Sequence, residues 1–353
     1  MKTWAPGRVN LIGEHTDYSG GLVLPSAIQL GITLEVHSVA DDVSLTSTGY
    51  GPAEPFAADG GGAPSTGWSR YGQAVAAELA ALGRPSVGLV GAVSSDLPTG
   101  AGLSSSAALE VAIALALCAV AGFELEPLEL ALACQRAELR AVGVPCGILD
   151  QAACVLGRAG AAILLDCATL EYRFVLVPEG ASLVIVDSWI ERSLERTAYA
   201  QRRAELEHAL RAVGAERSTE VSASDLDGLD PVSLRRLRHV VTENERVRRF
   251  AAAIEAGDLV AAGALLRESH ASLRDDYEVS IPELDLLVEL ADAAGAYGAR
   301  LLGAGFGGAI LALTDAEQAE RVGEAVVAGY RTRAGRDGRA LTVHPSAGAE
   351  VSP

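Results

Sequence analysis

A chain of 353 residues, 49% hydrophobic and 21% charged, has the composition of a globular protein with enough apolar material for two cores. Its formal net charge of −18 disfavours binding to the phosphates of nucleic acids or to anionic membrane surfaces, so we expect neither partner. Because Lys2 is the only lysine, a lysine-dependent phosphate loop, a protein-kinase lysine and a Schiff-base mechanism are excluded.

The five cysteines lie at least eight residues apart within apolar segments. This pattern predicts free thiols in a reducing cytoplasm rather than a disulfide framework or a zinc site. No secretion signal is visible at the N-terminus. The most apolar window, residues 107–123, is too short to span a bilayer comfortably and predicts a buried helix.

In chain order, the first predicted elements are strands over residues 4–12, 22–25 and 29–38. The turn after the first strand places Glu14, His15 and Asp17 between glycines. So many hydrogen-bonding side chains are costly to order, which favours a loop that binds a polyhydroxylated ligand over a plain surface turn. Arg8 precedes this turn on an apolar strand, where an arginine requires an anionic partner.

A segment rich in glycine, alanine and proline, residues 50–66, predicts a flexible surface excursion. A helix over 69–82 and a strand over 86–94 lead into a glycine- and serine-rich loop, residues 96–106. This loop passes into an alanine-rich helix over 105–120, so backbone N–H groups and the positive helix end converge and predict an anion cradle. The alternative is a glycine turn followed by an ordinary serine cap.

Two acidic residues lie on the next predicted helices, over 127–142 and from 148 onward. Asp150 lies near a helix start among aliphatic residues, where it requires a cation or a backbone N–H donor. A role in capping its own helix is the alternative. For Glu138, local sequence alone favours a solvated charge on a helix face.

The second half alternates strands and helices. Strands are predicted over 162–166, 172–177 and 182–187, helices over 194–213, 231–239, 242–256, 258–277 and 282–294, then a strand, glycine turn and strand over 299–313, a helix over 317–331, an edge strand over 340–344 and a frayed tail. We interpret the chain as two α+β domains, residues 1–178 and 179–353, with helices on one face of each sheet.

Three strings together resemble a known family. Residues 5–18, APGRVNLIGEHTDY, resemble the galactokinase signature; residues 97–108, LPTGAGLSSSAA, resemble the ATP motif of the GHMP kinase superfamily; residues 298–308, GARLLGAGFGG, resemble its third motif. Segments 146–151, 199–203 and 268–277 also fit galactokinases. The sequence departs from the family's usual residues at Ser19, Leu302 and Ala309, and only four residues precede Ala5, where an N-terminal element is usual.

The resemblance implies a two-domain GHMP kinase architecture: an N-terminal domain like domain 2 of ribosomal protein S5, a ferredoxin-like C-terminal domain, and an active site between them. It implies a cytoplasmic kinase that uses ATP and Mg²⁺ to phosphorylate the anomeric hydroxyl of D-galactose, feeding galactose catabolism, and we expect a monomer. A kinase for a related sugar, such as N-acetylgalactosamine, galacturonate or arabinose, and a non-catalytic sugar and ATP sensor are the alternatives.

Site residues are carried over from the family at matching positions only. Asp150 matches the proton acceptor, and Arg8 matches the residue that stabilises transition-state charge and would keep Asp150 ionised. Ser106 and Glu138 match the Mg²⁺ ligands. The sugar-binding positions are Glu14, His15, Asp17, Gly147 and Tyr199, and the positions that wrap the ATP phosphates are Gly100, Ala101, Gly102, Leu103, Ser104, Ser105 and Ser106.

Overall fold

A computed structural model describes residues 1–98, 100–143, 145–190 and 195–353, with side chains from residue 198 in the last range. Thr99 of the glycine- and serine-rich loop and Leu194, where a helix is predicted to begin, lie outside the described residues. The strands are β1 (Lys2–Asn10), β2 (Leu22–Val23), β3 (Pro25–Ala40), β4 (Asp42–Ser47), β5 (Gly51–Pro52), β6 (Phe56–Ala57), β7 (Gly88–Ser95), β8 (Ala161–Asp166), β9 (Tyr172–Leu176), β10 (Ala181–Asp187), β11 (Gly298–Leu302), β12 (Ala309–Asp315), β13 (Arg339–Val343) and β14 (Glu350–Ser352). The helices are α1 (Ser69–Ala81), α2 (Ser105–Ala121), α3 (Pro127–Val142), α4 (Leu149–Leu156), α5 (Glu195–Ala212), α6 (Pro231–Glu255), α7 (Leu259–Asp275), α8 (Pro282–Ala293) and α9 (Ala319–Ala334).

The first sheet has the strand order β14-β1-β3-β7-β4-β5, with β6 also paired to β4. Its ladders are antiparallel except for β4 with β7, which run parallel. Helix α2 packs on β1 and β3 and against α1 and α3. Because α2 is apolar on all sides, it is buried through most of its length, as its composition predicts for a core helix. A small antiparallel sheet, β2-β8-β9, contacts strand β3 of the first sheet through β8.

The second large sheet is antiparallel, in the order β11-β12-β10-β13. Alternate residues of β10 enter two different cores, since Val184 and Val186 pack with α8 and α9 while Leu183 and Ile185 face the core shared with β1. The prediction that helices cover one face of each sheet is therefore wrong for this sheet, because α7 packs on β11 from the side opposite to α8 and α9. The predicted α+β class is confirmed.

Three further predictions differ from the structure. The helices predicted over 231–239 and 242–256 are one helix, α6, because no glycine or proline interrupts them and Val240 is buried in the core. The tail is not frayed, since β14 pairs with β1. The flexible excursion over 50–66 is anchored by a buried Phe56 and by Gln73, whose side chain bonds Ala63 O and Ser65 N.

Hydropathy along the helices gives no candidate membrane span: none of those in the described part of the chain is long and apolar enough to cross a bilayer.

Candidate active site

A cleft of about 720 Å³ is lined by residues from both large sheets and the loops around them. Every sequence-predicted site residue except one lies on its wall: Arg8, Glu14, His15, Asp17, Gly100, Gly102, Leu103, Ser104, Ser105, Ser106, Glu138, Gly147, Asp150 and Tyr199. The exception is Ala101, which is buried in the core below the loop. The structure thus gathers residues that are far apart in sequence into one cavity.

Asp150, in the first turn of α4, is held by two side chains. Arg8 donates from Nε to Asp150 Oδ1 at 2.7 Å, and its NH2 lies 2.6 Å from the same oxygen. Ser104 Oγ donates to Oδ2 at 2.5 Å. Burial alone would lower the pKa of Arg8, but the charge of Asp150 and its hydrogen bond raise it above the ordinary value. Asp150 therefore has the cationic partner that its apolar surroundings require.

Arg8 also fastens strand β1 to the glycine- and serine-rich loop. Its NH1 donates to Gly102 O at 2.8 Å, and its backbone N–H donates to Leu103 O at 3.1 Å. Gly7 makes this approach possible, because a Cβ at Gly7 would lie 2.7 Å from Leu103 O and 2.5 Å from the Leu97 side chain. The glycine next to Arg8 is therefore explained by close backbone contact.

Neither helix-capping alternative matches the structure. Ser104 is the N-cap of α2, but its side chain makes no capping hydrogen bond and is directed to Asp150 instead. The Ser104 backbone has φ 57°, a left-handed conformation that is uncommon outside glycine. Asp150 likewise caps nothing, since the N-cap of α4 is Ile148. Both side chains instead bond each other at the wall of the cleft.

Ser106 and Glu138 meet on the same wall. Ser106 Oγ donates to Glu138 Oε1 at 2.9 Å, and Gln151 Nε2 donates to Glu138 Oε2 at 2.6 Å. Burial and the charge of Asp150 raise the pKa of Glu138, so a solvated helix-face role does not describe it. Gln151 also contacts Glu110, which is fully buried and whose pKa burial raises strongly.

The donor set here fits a hard cation, because hydroxyl and carboxylate oxygens lie side by side and a positive charge would relieve the repulsion between Glu138 and Asp150. Within the described residues, no group of three or more His, Cys, Asp or Glu side chains forms a ready metal site. An ion held here would need further oxygens from a ligand or water, as Mg²⁺ commonly does.

The Asp17 carboxylate lies directly against the backbone of Gly147. A Cβ on Gly147 would collide with the Asp17 carboxylate, so only glycine allows this approach. Burial, together with the charges of Asp150 and Glu14, raises the pKa of Asp17 to about 7. Asp17 is therefore a carboxyl group that changes charge near neutral pH.

His15 lies in an aromatic cluster. Its Nδ1 is 2.9 Å from Tyr18 Oη and its Nε2 is 3.2 Å from Ala304 O, which makes Nε2 the donor and Nδ1 the acceptor. Burial and the neighbouring His239 lower the pKa of His15 to about 3, so the ring is neutral at physiological pH. Tyr18 Oη bonds Tyr277 Oη at 2.8 Å, and the Tyr199 ring lies edge-on to Tyr18.

Several wall residues carry no assignment from the sequence: Tyr18, Tyr71, Asp187, Trp189 and Ile190. Tyr18 belongs to the signature string, which is a signal that it lies near the site. Trp189 is 59% exposed with φ 54°, but this conformation follows from the turn after β10 and has no local sequence signal. Local sequence patterns also do not predict the direct hydrogen bond from Ser104 to Asp150, because 46 residues separate the two.

Comparison with known families matches three parts of the chain. Residues 3–37 match the galactokinase galactose-binding signature, residues 70–158 the GHMP kinases N-terminal domain, and residues 250–332 the GHMP kinases C-terminal domain. Among solved structures, this chain is similar to Lactococcus lactis galactokinase complexed with galactose, with 35% identity, a TM-score of 0.93, and coverage of 99% of this chain and 94% of that one. A mevalonate kinase, 18% identical with a TM-score of 0.70, shares the fold.

Relatives of similar length are named galactokinases. The Pyrococcus furiosus protein is 40% identical over 98% of each chain, and the Chloroflexus aggregans protein is 44% identical over 99% of this chain and 92% of its own. The two-domain GHMP kinase architecture implied by the sequence is confirmed by these matches. The chain therefore belongs to the galactokinase family of the GHMP kinases.

Proposed function

We propose that this phosphotransferase moves the γ-phosphoryl group of ATP to the anomeric hydroxyl of D-galactose, giving galactose 1-phosphate and ADP. One observation carries the proposal: Asp150, held by Arg8 and Ser104, lines the same cleft as both the Glu14–Asp17 loop and the glycine- and serine-rich loop. A relative of 35% identity has been solved with galactose, which supports the choice of sugar. ATP is the phosphate donor of GHMP kinases.

Asp150 accepts the proton of the attacking hydroxyl in this mechanism. Two nitrogens of Arg8 occupy Oδ1, but Oδ2 accepts only from Ser104 and keeps a second lone pair, and the Asp150 side chain is 29% exposed. An aspartate is far too weak a base to remove the proton beforehand. Proton transfer is therefore late, and positioning and charge stabilisation supply most of the rate. Arg8 stabilises the negative charge that develops beside Asp150.

The loop from Gly100 to Ser106 binds the phosphates through backbone N–H groups and the N-terminal end of α2. No lysine is available for this task, since Lys2 is the only one and lies at the far end of β1. Ser106 and Glu138 would hold Mg²⁺, which supplies charge neutralisation on the phosphate oxygens when it is bound. Ser106 is then the point at which the phosphate loop and the metal site meet.

The sugar is bound by Glu14, His15, Asp17, Tyr199 and the backbone at Gly147. The carboxyls and the tyrosine offer both donors and acceptors to sugar hydroxyls, and neutral His15, whose ring nitrogens bond Tyr18 and Ala304, lines the cleft beside them. All five cysteines are free in the structure, which supports a reducing, cytoplasmic setting. We expect a monomer.

The test is product formation by the purified chain. With MgATP and D-galactose we expect stoichiometric ADP release and galactose 1-phosphate, identified by ³¹P NMR. Galactosamine derivatives, galacturonate and arabinose in parallel reactions distinguish a kinase for a related sugar. Binding of both ligands by calorimetry without ADP release from any sugar would contradict the proposal and indicate a sensor.

A further inference from the structure

Arg300 of β11 is completely buried and takes no direct part in the proposed chemistry. Its Nε donates to Leu11 O at 2.8 Å, its NH1 donates to Leu301 O at 2.7 Å, and its NH2 donates to Asn10 O. NH1 also lies 3.1 Å from Glu14 Oε1. A buried guanidinium is strongly destabilising unless its donors and its charge are matched, so Glu14 supplies the counter-charge of this site.

The Glu14 carboxylate has three protein partners. Oε1 accepts from Gly303 N at 2.7 Å and faces Arg300, and Oε2 accepts from Asn10 Nδ2 at 2.6 Å. A carboxylate has about four acceptor positions, so one position remains, on Oε2. Because Glu14 also lines the cleft, that position is available to one donor from a bound molecule.

A second element, α6, also holds the main chain around Glu14. On α6, His239 Nε2 donates to Glu14 O at 3.1 Å, Glu243 Oε1 accepts from Gly13 N at 3.1 Å, and Asn244 Oδ1 accepts from Leu22 N at 2.8 Å. Helix α6 therefore fixes the path of the loop backbone. Arg300 and Gly303 fix the direction of the side chain, and Arg300 also holds the backbone carbonyls of Asn10 and Leu11.

We propose that Arg300 is a positioning residue for sugar recognition: it orients the Glu14 carboxylate so that Oε2 accepts a single sugar hydroxyl. The inference rests on the proposed function, since it requires a sugar in the cleft. Arg300 is completely buried and does not touch the sugar, so its effect on recognition passes through Glu14. Discrimination at one hydroxyl then depends on a residue in β11, remote in sequence from the signature string.

The experiment compares R300M, R300K and E14Q with the wild type on galactose and its four monodeoxy analogues lacking the 2-, 3-, 4- or 6-hydroxyl. In the wild type we expect at least one analogue to have a lower kcat/KM than galactose, and we call this difference its penalty. The penalty that disappears in E14Q is the one that depends on Glu14. R300M should remove that same penalty and raise the galactose KM by about tenfold or more, as for loss of a charge-assisted hydrogen bond, with the ATP KM unchanged. R300K, which keeps the charge, should lie between R300M and the wild type.

The matched control is R333M, which removes an exposed arginine paired with Glu289 and should leave every constant unchanged. A lowered melting temperature in R300M with an unchanged galactose KM and an unchanged analogue pattern would show a purely structural role and overturn the inference. If R300M does not fold, the test uses R300K, E14Q and the R300K/E14Q double variant. Effects of the two substitutions on the analogue pattern that add in the double variant overturn the inference, and effects that do not add support it. If the wild type acts on another sugar instead of galactose, the proposed function fails, and the same comparison is made with deoxy analogues of that sugar.

Discussion

Asp150 and Ser104 show how one residue's conformation prepares another for chemistry. Ser104 adopts a left-handed backbone at the start of α2, and this conformation directs its hydroxyl to Asp150 Oδ2 rather than to the helix backbone. Such a conformation persists only when surrounding contacts determine it. Ser104 therefore makes no capping hydrogen bond, and its hydroxyl orients the Asp150 carboxylate instead.

Removal of the Ser104 hydroxyl tests this orientation. In S104A we expect kcat to fall by about tenfold or more, because a hydrogen bond to a charged group is lost, with KM values little changed. S104G separates the effect of the lost hydroxyl from that of backbone strain, because glycine adopts a positive φ without strain. Equal losses of kcat in S104A and S104G fit the account, whereas full activity in S104G would mean that the backbone conformation matters and the hydroxyl does not.

Asp17 predicts a pH dependence of sugar binding. Its pKa is raised to about 7 by burial and by Asp150 and Glu14, so the carboxylate forms as the pH rises through 7. An ionised carboxylate is the stronger hydrogen-bond acceptor, so the galactose KM should fall across this range. D17N should show a flat KM profile between pH 6 and 8. A wild-type profile without an inflection near 7 would contradict the assignment.

The raised pKa of Asp17 also affects the stability of the fold. Rising pH is expected to favour sugar binding but to lower this stability. A carboxyl whose pKa is raised in the folded state stabilises the fold at low pH, and this stability is lost as the pH rises from its ordinary value near 4 to about 7. D17N should therefore melt at a higher temperature than the ligand-free wild type at pH 8, with little difference at pH 4. Calorimetric melting at both values checks the sign, and a D17N that is less stable at pH 8 would show it to be wrong.

At the scale of elements, Gly147 before α4 lets the chain approach the Asp17 carboxylate closely at the proposed sugar site. G147A should raise the galactose KM by about tenfold or more while leaving the ATP KM unchanged, because the added Cβ forces the Asp17 carboxylate to move. G49A is the matched control, since a Cβ at Gly49 meets nothing within 4 Å. An ATP KM that rises as much as the galactose KM would indicate a general distortion of the cleft instead.

Local signals predicted most elements, because helix periodicity and glycine punctuation act over a few residues. They failed where distant residues decide the outcome. Val240 continues α6 because it is buried in the core, and β14 is ordered because β1 offers a free edge. The same holds for the site. Motifs located Arg8 and Asp150, but Arg300 and Glu14 are too far apart in sequence for a local pattern to predict their contact.

At the scale of the whole molecule, the chain's last strand supports its first. β14 pairs with β1 through Lys2 to Trp4, and Ala349 N donates to Cys154 O in α4. β1 carries Arg8 and α4 carries Asp150, so the C-terminal segment braces both elements of the proposed chemistry. One shared core also joins β1 to β10 and β12.

Deletion of residues 346–353 should therefore destabilise the protein without touching the cleft. We expect a loss of about 2–3 kcal/mol from the ladder hydrogen bonds, and thus a melting temperature lowered by roughly 3–4 °C. At temperatures where the truncated chain is still folded, its KM values should match those of the full chain. Extension of the chain beyond Pro353 is the control and should change neither quantity. An unchanged melting temperature in the truncated chain would show that β14 contributes no stability.

The proposed mechanism depends most on Asp150 as the proton acceptor, in the cleft between the Glu14–Asp17 loop and the loop from Gly100 to Ser106. The direct measurement pairs calorimetric binding of galactose and ATP with single-turnover phosphoryl transfer in the wild type and D150N. We expect D150N to bind both ligands within a few-fold of the wild type while the transfer rate falls by about 10²-fold or more. Transfer at the wild-type rate by D150N, with both ligands bound, would contradict the account.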